Sequence, residues 1–319
     1  MNFKLPKIRF DNGWATAGAV AWTALLSVHF LVSPLHAAPK WPLPDGVKSV
    51  EVNGYDMAYQ EAGSGAPLVL VHGALVDYRY WSQQVPEFAK NHRVIAVSLR
   101  HYYPEKWDGK GEDFSIEQHA ADVAALIKKL DLGKVHLLGH SRGGGVVVNV
   151  AKTHPEVIKT LILADASGFE SMLPKTPEDE KLANASRDRI ETLQKNLADG
   201  NVELAVRMFV DSLNGPGAWA SRTAEVKQFY FDNLGTATQM GPAPATSCEQ
   251  VAKFDFPILL VHGERSPKIF FAMSAAMRKC KDVPEPTVIP NAAHGMMRDN
   301  PAVFNAALAD FLKRNEATQ

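Results

Sequence analysis

Apolar and polar positions along this chain fall into two alternating rhythms. Residues 47–52 and 55–61 alternate in twos around Asn53-Gly54, which predicts two paired strands and a tight turn. Residues 67–71, 93–99, 135–138, 157–164, 257–261 and 285–289 are short continuous apolar runs, the pattern of strands buried on both faces. Between them, 81–90, 116–130, 143–152 and 301–314 carry apolar residues at helical spacing. Strands alternating with helices predict an α/β fold, a mostly parallel sheet with helices on both faces.

The rhythm breaks between 169 and 253. Helical stretches at 178–198, 202–213 and 219–234 follow one another with no core strand, and Gly215-Pro216-Gly217 and Gly241-Pro242-Ala243-Pro244 interrupt them. This interval reads as an inserted helical cap. The division expected is therefore a core of 39–168 and 254–319, a cap of 169–253, and a separate leader of 1–38.

The leader has its own signature. Lys4, Lys7 and Arg9 make a basic start, 14–38 contains no Asp, Glu, Lys or Arg, and Ser33, Pro34 and Ala37-Ala38 form a small-residue exit. That is the layout of a secretory signal peptide, and export to the periplasm or medium is expected. The apolar run is long enough for an uncleaved membrane anchor to be the alternative. The composition, with 46% hydrophobic and 22% charged residues and a formal net charge of −1, gives no electrostatic reason to expect nucleic acid as a partner. The two cysteines, Cys248 and Cys280, read equally as a disulfide or as two buried thiols. No cofactor or metal motif is visible.

Chemistry concentrates at Gly139-His140-Ser141-Arg142-Gly143, followed by Gly144-Gly145. A buried strand leads into this G-x-S-x-G segment and a helix leads out, the context in which a sharp turn lifts a serine above a sheet. Serine needs a base. Of the eleven histidines, His92, His119 and His154 read as exposed helix or turn residues. His294 lies in the loop after the last strand, at the sheet edge where strand carboxyl ends gather. An acid to orient His294 has two candidates at that edge. Asp165, after strand 157–164, is preferred on topology, and Glu264, after strand 257–261, is the alternative acid. The oxyanion of an acyl transfer would be met by the backbone N–H of Arg142 and by one from the loop His72-Gly73-Ala74-Leu75, with Ala74 chosen.

These segments resemble the α/β-hydrolase superfamily over about residues 47–315, through His72-Gly73, Gly139-His140-Ser141-Arg142-Gly143-Gly144 and His294-Gly295. The resemblance implies a serine hydrolase working without a cofactor on a small molecule. Ser141 sets it apart from the epoxide hydrolases and haloalkane dehalogenases, relatives with aspartate there. Two departures stand out. Many relatives carry their acid where this chain has Ser266, which also favours Asp165. The Asp-x-Arg-Gly-x-Gly loop of many relatives is replaced by Ser98-Leu99-Arg100-His101-Tyr102-Tyr103-Pro104.

Met208, Phe209, Trp219, Phe229, Tyr230, Phe231 and Met240 in the cap read mainly as packing, with a few lining an apolar pocket. The activity expected is cleavage of a carboxylic ester, thioester or lactone through an acyl-enzyme. Perhydrolysis or C–C lyase chemistry on the same residues, or a hydrolase fold that only binds, are the alternatives.

Overall fold

In a computed structural model, eight strands form one sheet: β1 (Val47–Val52), β2 (Tyr55–Ala62), β3 (Ala66–Val71), β4 (His92–Val97), β5 (Val135–His140), β6 (Ile158–Ala164), β7 (Ile258–Gly263) and β8 (Thr287–Ile289). The structure describes residues 41–316. The leader expected at 1–38 lies outside them.

The strand order is β1-β2-β4-β3-β5-β6-β7-β8. β1, β2 and β4 pair antiparallel, and every pair from β4 onward is parallel. β3 and β5 at the centre are buried throughout their overlap, Leu68 to Val71 against His136 to Gly139, and apolar there except for His136, because helices cover both faces. Crossovers leave the carboxyl ends of β3, β5, β6, β7 and β8 at one edge, where the loops after them meet.

The helices are α1 (Val85–Phe88), α2 (Ile116–Lys129), α3 (Arg142–Thr153), α4 (Pro177–Ala198), α5 (Val202–Asn214), α6 (Ala218–Ser221), α7 (Ala224–Asp232), α8 (Cys248–Ala252), α9 (Lys268–Arg278), α10 (Met296–Asp299) and α11 (Pro301–Glu316). Five of them, α4 to α8, lie between β6 and β7 with no strand among them. They belong to the same compact unit as the sheet.

The structure corrects three expectations. The helix expected over 81–90 shrinks to the single turn of α1. The one expected over 219–234 splits into α6 and α7, because the Thr223 hydroxyl accepts the Val226 N–H and starts a new helix. His92 and His119 are buried, not exposed. His119 stands one turn beyond Ile116 on the face of α2 that also buries Val123 and Ile127.

Cys248 at the start of α8 is disulfide-bonded to Cys280 just after α9, with Cα atoms 5.0 Å apart. The bond fastens the helical insertion to the segment that follows β7.

Candidate active site

β5 runs into Gly139-His140, the chain reverses at Ser141, and α3 starts at Arg142. Ser141 has φ 55° and ψ −122°, a conformation that L-residues avoid and that only surrounding bonds can hold. Its N–H donates to the Ala164 carbonyl (3.1 Å), and its own carbonyl accepts from Gly144 N–H (2.8 Å) and Ser167 N–H (3.0 Å). The glycines are needed for space. A methyl on Gly143 would strike the His72 carbonyl oxygen, and one on Gly144 would strike Ala166.

His294 lies beyond β8, 4% exposed, between the rings of Phe270 (centroids 4.7 Å apart) and His140 (4.6 Å). Its Nδ1–H donates to Asp165 Oδ2 at 2.9 Å. Its Nε2 is buried and has no hydrogen-bond partner. His294 and Ser141 line one small pocket of about 20 Å³ together with Gly73 and Ala74.

Asp165 follows β6 at φ 41° and is fully buried. Besides His294 it accepts from His262 Nδ1 (2.7 Å) and from the Ser266 hydroxyl (2.5 Å). Burial pushes its carboxyl up, but the hydrogen bonds and charges of His262 and His294 outweigh that and hold it below the usual carboxylate range. His262 in turn reaches Ser274 Oγ through Nε2 (2.9 Å). Ser266, the departure from the family pattern, therefore turns its hydroxyl toward the carboxylate that stands elsewhere. Glu264 is exposed and accepts the Asn291 N–H at 2.9 Å. The structure thus brings Ser141, His294 and Asp165 to one edge and leaves Glu264 outside.

The loop after β3 passes beside the serine: a methyl on Gly73 would come within 3.0 Å of Ser141 Cβ. Half-buried Ala74 lines both pockets that Ser141 lines. His72 ties the loop down. Its Nδ1–H donates to the Gly73 carbonyl (2.8 Å), and its Nε2 accepts the Leu99 N–H (3.0 Å). Burial pushes His72 down to about 3, so it is neutral and can accept there. Arg142, as the first residue of α3, has an N–H without an intrahelical acceptor.

The loop that departs from the family pattern is pinned by Arg100. Its Nε donates to Asp122 Oδ2 (2.8 Å) and its Nη2 to Asp122 Oδ1 (3.0 Å), and Tyr102 packs on the His72 ring.

A larger cavity of about 630 Å³ opens over Ser141 beneath α4 and α5. Its apolar wall includes Ile116, Ile190, Phe209, Met240 and Phe270. Of the cap residues singled out in the sequence, Phe209 and Met240 face it, and Tyr230 lines the smaller pocket. Trp219 is core, its indole N–H donating to Glu203 (2.5 Å), while Met208 is 43% exposed.

His262 and Ser274 escaped the sequence reading. A histidine inside a buried strand gives no sign of which residue its ring will face.

The profile of the alpha/beta hydrolase family matches residues 68–307, and the chain belongs to that family. It is 28% identical to a non-heme chloroperoxidase of Streptomyces lividans over 82% of this chain and 97% of the relative. It is 26% identical to epoxide hydrolase 3 of Xenopus tropicalis over 78% of this chain and 71% of the relative. Among solved structures, an esterase from Rhodococcus sp. ECU1013 superposes with a TM-score of 0.69 at 22% identity, covering 84% of this chain and 98% of that one. The mostly parallel eight-stranded sheet is the fold these share, and the chain is a hydrolase of the alpha/beta family.

Proposed function

We propose that this protein is a serine esterase that cleaves carboxylic esters, thioesters or lactones through an acyl-enzyme. The observation that carries the proposal is the state of His294. Its Nδ1–H is committed to Asp165, while its Nε2 lone pair is buried, unpartnered and in the pocket that Ser141 lines. That is a base waiting for a proton.

Ser141 Oγ attacks the substrate carbonyl as His294 Nε2 takes its proton, and Asp165 stabilises the imidazolium that forms. The oxyanion sits against the N–H groups of Ala74 and Arg142. The imidazolium then returns the proton to the leaving alcohol, thiol or ring oxygen. Water, deprotonated by His294, attacks the acyl-serine, and collapse releases the acid and free Ser141.

The test is initial-rate hydrolysis of p-nitrophenyl esters from acetate to decanoate, beside Ser141→Ala. Turnover that falls by about 10⁴-fold or more in Ser141→Ala, with loss of fluorophosphonate labelling, is expected if nucleophile and base act as a unit. Turnover that survives this substitution would sink the proposal.

A second reading has support from the chloroperoxidase relative: the same acyl-serine would pass its acyl group to hydrogen peroxide instead of water. Peracid formed from acetate and peroxide, absent in Ser141→Ala, would establish it. Export also belongs to the proposal. It is supported by the leader pattern at 1–38 and by the Cys248–Cys280 bond, which persists best in an oxidising compartment. Mass analysis of the mature protein reads the fate of the leader.

A further inference from the structure

Arg142 is placed where a cation ought to be unwelcome. It is the first residue of the twelve-residue α3, at the positive end of the helix, and it is 9% exposed. Its Nη1–H donates to His119 Nδ1 at 3.0 Å. His119 is fully buried and uncharged, its pKa held well below the ordinary value first by burial and then by the Arg142 charge itself. The Arg142 Nε is buried with no hydrogen-bond partner, and Arg142 forms no ion pair with a carboxylate of the described residues; Glu117 favours its charge only from beyond ion-pair distance, and burial outweighs that help. Phe114 gives aromatic support, its ring centroid 4.7 Å from the guanidinium carbon.

The same molecule shows how it treats a buried arginine, Arg100, and a half-buried one, Arg79. Arg100 is bound by Asp122 and Asp113, and Arg79 by Asp77 and Asp232. A buried charge without a counter-ion is costly unless something arrives to pair with it. Arg142 lines the 630 Å³ cavity next to Ser141. A second arginine of that cavity, Arg189, donates Nε to the Ser212 hydroxyl (2.9 Å) and makes no ion pair either.

We infer that the missing partner of Arg142 is a carboxylate on the substrate, so the esters or lactones cleaved are those whose acyl part carries a second, free carboxylate. The inference rests on the acyl-enzyme reading of Ser141. A guanidinium offers paired N–H donors that match a carboxylate in plane. A singly charged group suits the cavity better than a dianion, because its three arginines, Arg142, Arg187 and Arg189, outnumber its two glutamates, Glu170 and Glu191, by one. In the reaction the Ser141 ester forms and the alcohol leaves while the carboxylate stays on Arg142. Hydrolysis then yields a dicarboxylate and regenerates the serine.

The experiment uses p-nitrophenyl half-esters of succinate through suberate, each beside the same diacid with its second carboxylate capped as a methyl ester. Wild type is expected to favour at least one half-ester over its capped twin by about tenfold or more in kcat/KM. In Arg142→Gln that ratio should fall to about one, whatever happens to the absolute rates, and Arg142→Lys should keep part of it. A wild-type ratio of one or less at every chain length overturns the inference, as does a preference that survives Arg142→Gln. The wild-type ratio needs no variant, so a misfolded variant does not rescue the idea. Failure of the esterase reading is separated by calorimetric titration of monomethyl adipate, which carries one free carboxylate, into Ser141→Ala and Ser141→Ala/Arg142→Gln, which needs no turnover. Saturable binding weakened at least tenfold by the second substitution supports the carboxylate site, and equal or absent binding overturns it.

Discussion

Asp165 accepts hydrogen bonds from His294, His262 and Ser266 while completely shielded from water. Such a carboxylate cannot be traded for an amide without disturbing all three partners. Asp165→Asn offers Nδ1 of His294 a donor where it needs an acceptor, and a fall in kcat on the order of 10³–10⁴-fold is expected by analogy with triads that lose this acceptor. Glu264→Gln should leave kcat within about threefold, since its side chain only accepts the exposed Asn291 N–H. If the two mutants traded these outcomes, the geometry would have been misassigned. Ser266→Ala leaves Asp165 with His262 and His294 alone, so the carboxyl loses one of the bonds that stabilise its charged form. The acid limb of the kcat/KM profile should then move to higher pH. Little of this cluster was legible in the chain. Ser141 and His294 were, because a glycine-flanked turn and a loop after the last strand have sequence signatures. Asp165 could only be ranked above Glu264 by strand order, and His262 reads as one more residue of an apolar run.

At the scale of elements, the strand positions were the legible part. The runs that predict β3, β5 and β6 are bounded by glycine or polar turns and match the structure within a few residues. Helices in the cap were harder, because α6 and α7 share one apolar period across Arg222-Thr223 and only the cap at Thr223 divides them. The helix α9 was passed over, although Ile269, Phe270, Met273, Ala276 and Met277 mark its buried face. Two element-level contacts can be tested. Gly144 sits where α3 crosses the loop after β6, and a methyl there meets Ala166. Gly144→Ala should destabilise by about 1–3 kcal/mol as an overpacked site and displace Ser141, so the melting point and kcat should fall together. The disulfide closes a loop of sequence separation 32. Replacing both cysteines by alanine should cost about 3–4 kcal/mol on the chain-entropy account. Urea unfolding of oxidised and double-mutant protein checks this, and coincident curves would refute it.

Across the whole molecule, burial of uncharged histidines sets how stability responds to acid. His72 and His140 are pushed down to about 3, chiefly by burial, and His136 to about 4 for the same reason. His119 lies well below its ordinary value, again chiefly by burial. Each of these folded-state values is below the unfolded value of about 6.5. The unfolded chain therefore takes up these four protons first as pH falls, and each group's contribution is full above about pH 6.5 and is lost below it. His101 has the opposite sign. Burial lowers its pKa, but Glu105 and Asp113 outweigh that and raise it, so its stabilising contribution is complete below about pH 6.5, where the ring is charged in both states and adds no slope. Asp165, held low, yields only below about pH 4, outside this window. A net difference of about four protons implies a slope approaching roughly 5 kcal/mol per pH unit once the unfolded histidines are charged. The unfolding free energy should therefore drop steeply between pH 6.5 and 5, well above the range in which carboxylates titrate. His136 is the convenient control, because its Nδ1 bonds the Thr160 hydroxyl between β5 and β6, and the ring lines neither site pocket. His136→Gln should flatten the slope by about one proton, roughly 1.4 kcal/mol per pH unit. Urea midpoints at pH 7, 6, 5.5 and 5 measure both. A flat profile in the wild type would mean that these rings are charged in the folded protein, and the neutral His72 that holds the oxyanion loop would have to be abandoned with them.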